Sequence, residues 1–292
     1  LIQLLNDSLQ PAHDAREVSV ATYSFKNILV EAADGVAFLT LNRPKKRNAM
    51  SPGLHLDVAD ALEQLRYDPA AKVVVITGAG ESFCAGMDLK EFFTDLGDKP
   101  DEYDRVFRIA TEWRGRTLRY FPKPTIAMVN GFCFGGAFSI VEGCDLAVAA
   151  DEATFGLSEV NFGLFPGGSV SKSLANIMHP RDAMYYALTG KPFDGKKAAE
   201  IKFVNYSVPL AELHANVTAL ATELAQKNAE ALAATKEGFT HSLDMGWEAS
   251  ISFTKAREGL LSKNQNDAFR TTGIGDFLKG KYRPGLESNT NL

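Results

Sequence analysis

The chain has few of the features that would place it quickly. Its 292 residues hold three cysteines, Cys84, Cys133 and Cys144, and an odd count at irregular spacing gives neither a disulfide framework nor a zinc knuckle. The five histidines are scattered, so no metal-ligand cluster is expected. There is no basic excess: the formal charge is -5, which disfavours nucleic acid as a partner without excluding a local basic loop for a phosphorylated ligand. No apolar run approaches the roughly 20 residues of a membrane span. Free thiols suit a reducing compartment, so a cytoplasmic location is expected. Residues 1–24 are mixed polar, lack the apolar core of a signal peptide, and read as an extension ahead of the folded part.

What is present is organised around Thr125–Glu159. Thr125–Val129 and Asp145–Ala150 are short apolar runs bounded by turn residues, the pattern of buried strands. Between them Gly135-Gly136 opens a helix. Glycine lets a ligand approach the backbone, and the first N–H groups of a helix have no internal partner. Such a site suits an oxygen that gains negative charge. The pair could equally mark a helix–strand packing point. Glu159 adds an ionisable carboxyl in apolar surroundings, as a general base requires. A second strand, Val73–Ile76, leads through Thr77–Gly80 to Ala85-Gly86-Met87-Asp88-Leu89-Lys90-Glu91, another source of backbone donors.

Around these, Asp34-Gly35 sits in a hairpin of strands near Ile28–Glu31 and Val36–Leu41. Leu54, Val58, Ala61, Leu62 and Leu65 have helical spacing and predict a helix over Pro52–Tyr67. The run Lys45-Lys46-Arg47 is either a solvated charge cluster or a phosphate contact. Phe92–Phe121 is mostly helical, and its arginines, Arg105, Arg108, Arg114, Arg116 and Arg119, read as surface residues. Phe203–Val208 reads as an edge strand. Strand–helix alternation thus fills 25–209, and helices fill 210–292 up to a polar tail. This pattern alone permits a doubly wound α/β sheet.

Three segments carry a resemblance that narrows the choice. Ala-Gly-Met-Asp-Leu-Lys-Glu and Asn-Gly-Phe-Cys-Phe-Gly-Gly-Ala resemble the two oxyanion-hole segments of the crotonase (enoyl-CoA hydratase/isomerase) superfamily. Asn42–Met50 resembles its coenzyme A loop. The resemblance implies an α/β fold, a spiral of strand–strand–helix repeats, with a C-terminal helical region that assembles trimers or hexamers. It implies an acyl-CoA thioester as substrate and no permanently bound cofactor. By position, the oxyanion donors would be the N–H groups of Met87 and Gly136. Lys46, Ala85, Asp88, Leu89, Lys90 and Gly135 would line the coenzyme A side.

Simple hydratases of that superfamily present two glutamates. Glu159 matches the second, and Ser139 stands where the first would be. Glu142, one helical turn beyond Ser139, could project nearby, but it reads rather as a buried structural or interface carboxylate than as a catalytic one. With Arg-Asn-Ala-Met-Ser-Pro and Ala-Thr-Phe-Gly-Leu-Ser-Glu, this resembles the hydroxycinnamoyl-CoA (feruloyl-CoA) hydratase/lyases. These hydrate the side-chain double bond, then cleave Cα–Cβ to an aromatic aldehyde and acetyl-CoA. The resemblance places Phe92, Ser158, Phe162, Gly167 and Lys255 in the acyl pocket, with Phe165 beside them. Phe92 and Lys255 stand where that group carries tyrosines that grip the phenol. Lys255 either pairs with a phenolate or is solvated. A hydratase or isomerase of another acyl-CoA, and a catalytically silent acyl-CoA-binding protein, remain as alternatives.

Overall fold

The structure, a computed structural model, describes residues 23–283. The extension at 1–22 and the tail at 284–292 lie outside them. Two sheets share the core. The larger runs β1 (Ile28–Ala33), β2 (Gly35–Leu41), β3 (Ala71–Gly78), β5 (Thr125–Val129), β7 (Leu146–Ala150) and β10 (Tyr206–Val208) in that spatial order. The smaller runs β4 (Ser82–Cys84), β6 (Phe132–Phe134), β8 (Thr154–Gly156) and β9 (Phe193–Asp194). Only β1–β2 and β8–β9 pair antiparallel; every other pairing is parallel.

The order reflects a repeat. β3 then β4, β5 then β6, and β7 then β8 each give one strand to the large sheet and the next to the small one. This is the expected crotonase-like spiral of strand–strand–helix turns. The first strand of each turn is an unbroken apolar run because both faces are covered: Val73–Ile76, Ile126–Ala127 and Val148–Ala150 are fully buried. Asn130 staples one turn to the previous one. Its amide donates to the Gly78 and Gly80 carbonyls, both at 2.9 Å, and accepts from the Gly78 N–H at 3.3 Å. Gly131 is required beside it, since a methyl there would lie 2.0 Å from the Glu81 carbonyl oxygen.

The predicted helix at Pro52–Tyr67 is α1, capped by Ser51 Oγ, which accepts from the Leu54 N–H. α2 (Pro100–Thr111) and α3 (Phe138–Gly143) follow, then α4 (Val170–Ile177), α5 (Pro180–Thr189) and α6 (Gly195–Glu200). β10 is the edge strand expected within Phe203–Val208. In the C-terminal region, α7 (Leu210–Ala225) buries Leu213, Val217, Ala221 and Ala225 against the large sheet. α8 (Ala229–Ser242) and α9 (Trp247–Asn264) pack mainly on each other. With α10 (Gly275–Leu278) they expose Phe239, Leu243, Trp247, Leu260 and Leu278. No helix of the described residues is long and apolar enough to cross a membrane, and they contain no group of three metal-ligating side chains.

Candidate active site

Three parallel neighbours, β4, β6 and β8, end on the same side of the small sheet. Each is followed within three residues by one candidate group: Met87 after Cys84, Gly136 after Phe134, Glu159 after Gly156. Adjacent strands lie about 4.8 Å apart, so the ladder itself sets the spacing of the site. Ligands generally bind beyond the carboxyl ends of parallel strands in open α/β sheets.

Met87 sits in a single parallel bridge with Met50. The bridge uses its neighbours: Met50 N–H donates to the Gly86 carbonyl at 2.8 Å, and Asp88 N–H donates to the Met50 carbonyl at 3.0 Å. The Met87 N–H is left over and points away from the bridge. The Gly136 N–H lies in the first turn of the helical segment that begins at Gly135, so it has no partner within the helix. The two segments touch. A methyl on Gly86 would come 2.8 Å from the Phe134 carbonyl oxygen and 3.6 Å from the Gly136 nitrogen, and a methyl on Gly136 would come 3.5 Å from Met87 Cγ.

Glu159 opens the short helical turn Glu159–Phe162. Its Oε1 would lie 3.0 Å from a methyl on Gly135, so its carboxylate is against the second donor segment. Its Oε2 is buried without a hydrogen-bond partner, and burial raises its pKa above the usual glutamate range, opposed in part by its own N–H. A half-buried carboxylate whose inner oxygen has no partner, set against the Gly135–Gly136 turn, is suited to proton transfer.

Ser139 is fully buried on α3 and accepts from Ser169 Oγ at 2.8 Å. Its own proton therefore remains available to another oxygen. Glu142 is the structural carboxylate. It accepts from Ser173 Oγ at 3.1 Å and Asn176 Nδ2 at 3.0 Å, and it pairs with Arg119. Replacing Glu142 by Leu is expected to lower stability by about 3 kcal/mol, since Arg119 loses its partner, with turnover unchanged. Urea titration and kcat measured on the same preparation check this.

The loop carrying Lys46 lies on the first donor segment. Asn48 takes the Arg43 N–H at 2.9 Å and donates to the Ala79 and Ser82 carbonyls at 2.9 and 2.7 Å, and Ala85 N–H donates to the Arg47 carbonyl at 2.9 Å. Asp88 is occupied structurally. Burial would raise its pKa, but the Glu91 N–H and Arg43 outweigh burial and hold it below the usual range. Lys90 pairs with Asp95 at 2.9 Å, while Lys46 and Leu89 are exposed.

The expected acyl pocket is only partly brought together. Phe92 is sealed in a cluster with His55 and Tyr103, ring centroids 5.8 and 5.3 Å away. Phe162 and Phe165 are largely exposed, with Ser158 and Gly167 half-buried on the same loop. Lys255 is exposed on α9 and forms no hydrogen bond or ion pair among the described residues. A single chain therefore does not join Lys255 to Phe92.

One reading is corrected. Arg114 is not a surface residue: it is 4% exposed and donates to the Gly136 carbonyl at 3.0 Å. It follows Trp113 on the stripe Val106–Ala110–Trp113, whose spacing could have revealed its burial. His55 was also missed as a polar core residue. Its Nδ1 accepts from Trp113 Nε1 at 3.0 Å, and burial, helped by Arg114, holds its pKa well below the usual histidine value.

Residues 31–284 match the family model described as enoyl-CoA hydratase/isomerase. The chain belongs to that family. This enoyl-CoA hydratase/isomerase family member is 47% identical over 273 residues to the hydroxycinnamoyl-CoA hydratase-lyase of Pseudomonas fluorescens, covering 92% of this chain and 99% of that one. It is 36% identical over 228 residues to a mevalonyl-coenzyme A hydratase of Aspergillus fumigatus, covering 78% and 81%. Among solved structures, an enoyl-CoA hydratase from Mycobacterium smegmatis superposes with a TM-score of 0.79 at 29% identity, covering 89% and 98%. The family member is an enzyme of hydratase/lyase type.

Proposed function

We propose that this enzyme hydrates aryl-acryloyl-CoA thioesters of the hydroxycinnamoyl type and then cleaves them to an aromatic aldehyde and acetyl-CoA. The observation that carries the reading is Glu159, whose Oε2 is the one buried carboxylate oxygen without a hydrogen-bond partner among the described residues, in a chain with Ser139 where simple hydratases have a second glutamate. The thioester oxygen would lie between the Met87 and Gly136 N–H groups. Glu159 takes a proton from water as its oxygen bonds to Cβ, and the alkene electrons move to the thioester oxygen as an enolate. Protonated Glu159 returns the proton to Cα. It then takes the Cβ hydroxyl proton as Cα–Cβ breaks, the carbonyl of the aldehyde forms, and the electron pair passes into the acetyl-CoA enolate. Protonation of that enolate by Glu159 closes the cycle. Coenzyme A would run past Ala85, Leu89 and Lys46. The exposed apolar side chains on α8–α10 support assembly into a trimer or hexamer.

Replacing Ser139 by Ala is expected to lower kcat about tenfold, the scale of one lost hydrogen bond, with the pH profile unchanged. A loss as large as that for Glu159 would give the serine a larger part.

The deciding experiment incubates the protein with coumaroyl-, feruloyl-, cinnamoyl- and crotonyl-CoA and identifies every product. Aldehyde with acetyl-CoA from the aryl substrates supports the proposal. A β-hydroxyacyl-CoA alone would favour an ordinary hydratase, a reading that the sealed Phe92 and solvent-exposed Lys255 also suit. Binding without turnover would mark a silent acyl-CoA-binding protein.

A further inference from the structure

We propose that Arg114 is a positioning residue for the oxyanion hole: it holds the Gly135–Gly136 turn from below and supplies the positive charge that a developing enolate oxygen meets. This rests on the reading of Met87 and Gly136 as the thioester's donors.

Arg114 lies in the π-helical turn Glu112–Thr117 that continues α2. Its Nε donates to the Ala110 carbonyl at 2.9 Å, and its Nη1 donates to the Gly136 carbonyl at 3.0 Å. That same Nη1 would be 2.9 Å from a methyl on Gly136. Among the described residues it enters no ion pair. Burial pulls its pKa to about 10, so it is charged at neutral pH. The titratable groups facing it do not answer that charge. His55, from α1, is kept neutral by burial, and the Cys84 thiol, at the end of β4, is pushed up to about 12 by burial.

A cation buried without a counter-charge is costly to the fold. Satisfying one carbonyl does not require it, since a neutral amide can donate the same hydrogen bond. No carboxylate among the described residues pairs with Arg114 on the Gly136 side of the turn, and that is where the reaction creates negative charge. Glu159 touches the turn at Gly135, whereas Arg114 touches it at Gly136. Proton transfer to Glu159 removes negative charge from the first position and places it on the thioester oxygen at the second. Arg114 therefore favours the enolate over the starting thioester, and in a buried site that difference acts on the rate.

The test uses 3-phenylpropanoyl-CoA carrying 13C at the thioester carbonyl, a saturated probe that cannot be hydrated. Its carbonyl stretch is measured bound to wild type, Arg114→Met and Arg114→Gln. Kd, kcat for cinnamoyl-CoA and Tm are recorded alongside. In wild type the stretch moves to lower frequency on binding. In the variants at least about half of that movement is lost and kcat falls about 10–100-fold, less than for a direct donor. Kd stays within about threefold, and the Tm of Arg114→Met is unchanged or higher, because an uncompensated buried ion has gone. A variant that keeps the full carbonyl shift and a near wild-type kcat overturns the inference. So does failure of both variants to fold, which makes Arg114 a structural residue. Absence of any shift in wild type removes the donor reading itself, and the inference with it.

Discussion

Glu159→Gln is expected to lower turnover by at least about 100-fold, the scale of a lost general base, while thioester binding stays nearly intact. The amide preserves shape and removes basicity. Because burial raises the Glu159 pKa, the wild-type kcat/KM should rise with pH through a value above that of an ordinary glutamate. Stability carries the opposite sign. A carboxyl whose folded pKa exceeds its unfolded one contributes most when protonated, and that contribution is lost as pH rises through the folded pKa. Glu159→Gln should therefore raise Tm at neutral pH and leave it little changed at pH values below the ordinary glutamate range. Thermal scans at the two conditions, with single-turnover rates, check both halves. A variant with near wild-type rate would remove Glu159 from the mechanism.

Gly86→Ala should be the most damaging single methyl in the site. Gly86 has φ +90°, where an L side chain is strained, and its methyl would lie 2.8 Å from the Phe134 carbonyl oxygen. The strain costs about 1–3 kcal/mol, and relief of the clash must part the two donor segments. Loss of one oxyanion donor lowers kcat by about 100–1,000-fold. Gly280→Ala is the control, since Gly280 also has positive φ, +69°, with nothing within 4 Å of the added methyl. It should lose stability and keep kcat. Equal kcat losses in the two would show that strain, not separation of the segments, governs activity.

The long elements were legible because their apolar spacing is regular. Leu54, Val58, Ala61, Leu62 and Leu65 gave α1 its bounds, and Ser51 and Pro52 mark its start. β5 was equally plain. The small sheet was not, because β4, β6 and β8 have three residues each and no periodicity can appear in so few. The resemblance supplied Met87, Gly136 and Glu159 as a set, while the reason they meet is visible only in the strand order. Arg114 was misread because charge is ordinarily a mark of the surface. Lys255 stands exposed on α9, where no local pattern tells a solvated lysine from a ligand contact.

The strand order of the small sheet has a consequence for how this fold can change. The two proposed donors are main-chain atoms, and their separation is set by hydrogen bonds between β4 and β6, which no side chain makes. Substitution can therefore alter the acyl pocket, the surface and much of the core while the two N–H groups keep their places. A superposition at TM-score 0.79 with only 29% identity is what such a frame permits. Glu159, third along the same ladder, is the one member of the set that a single nucleotide change can delete. New chemistry on this frame is thus reached most readily by exchanging the side chains at Ser139 and Glu159, and least readily by moving the strands that carry them.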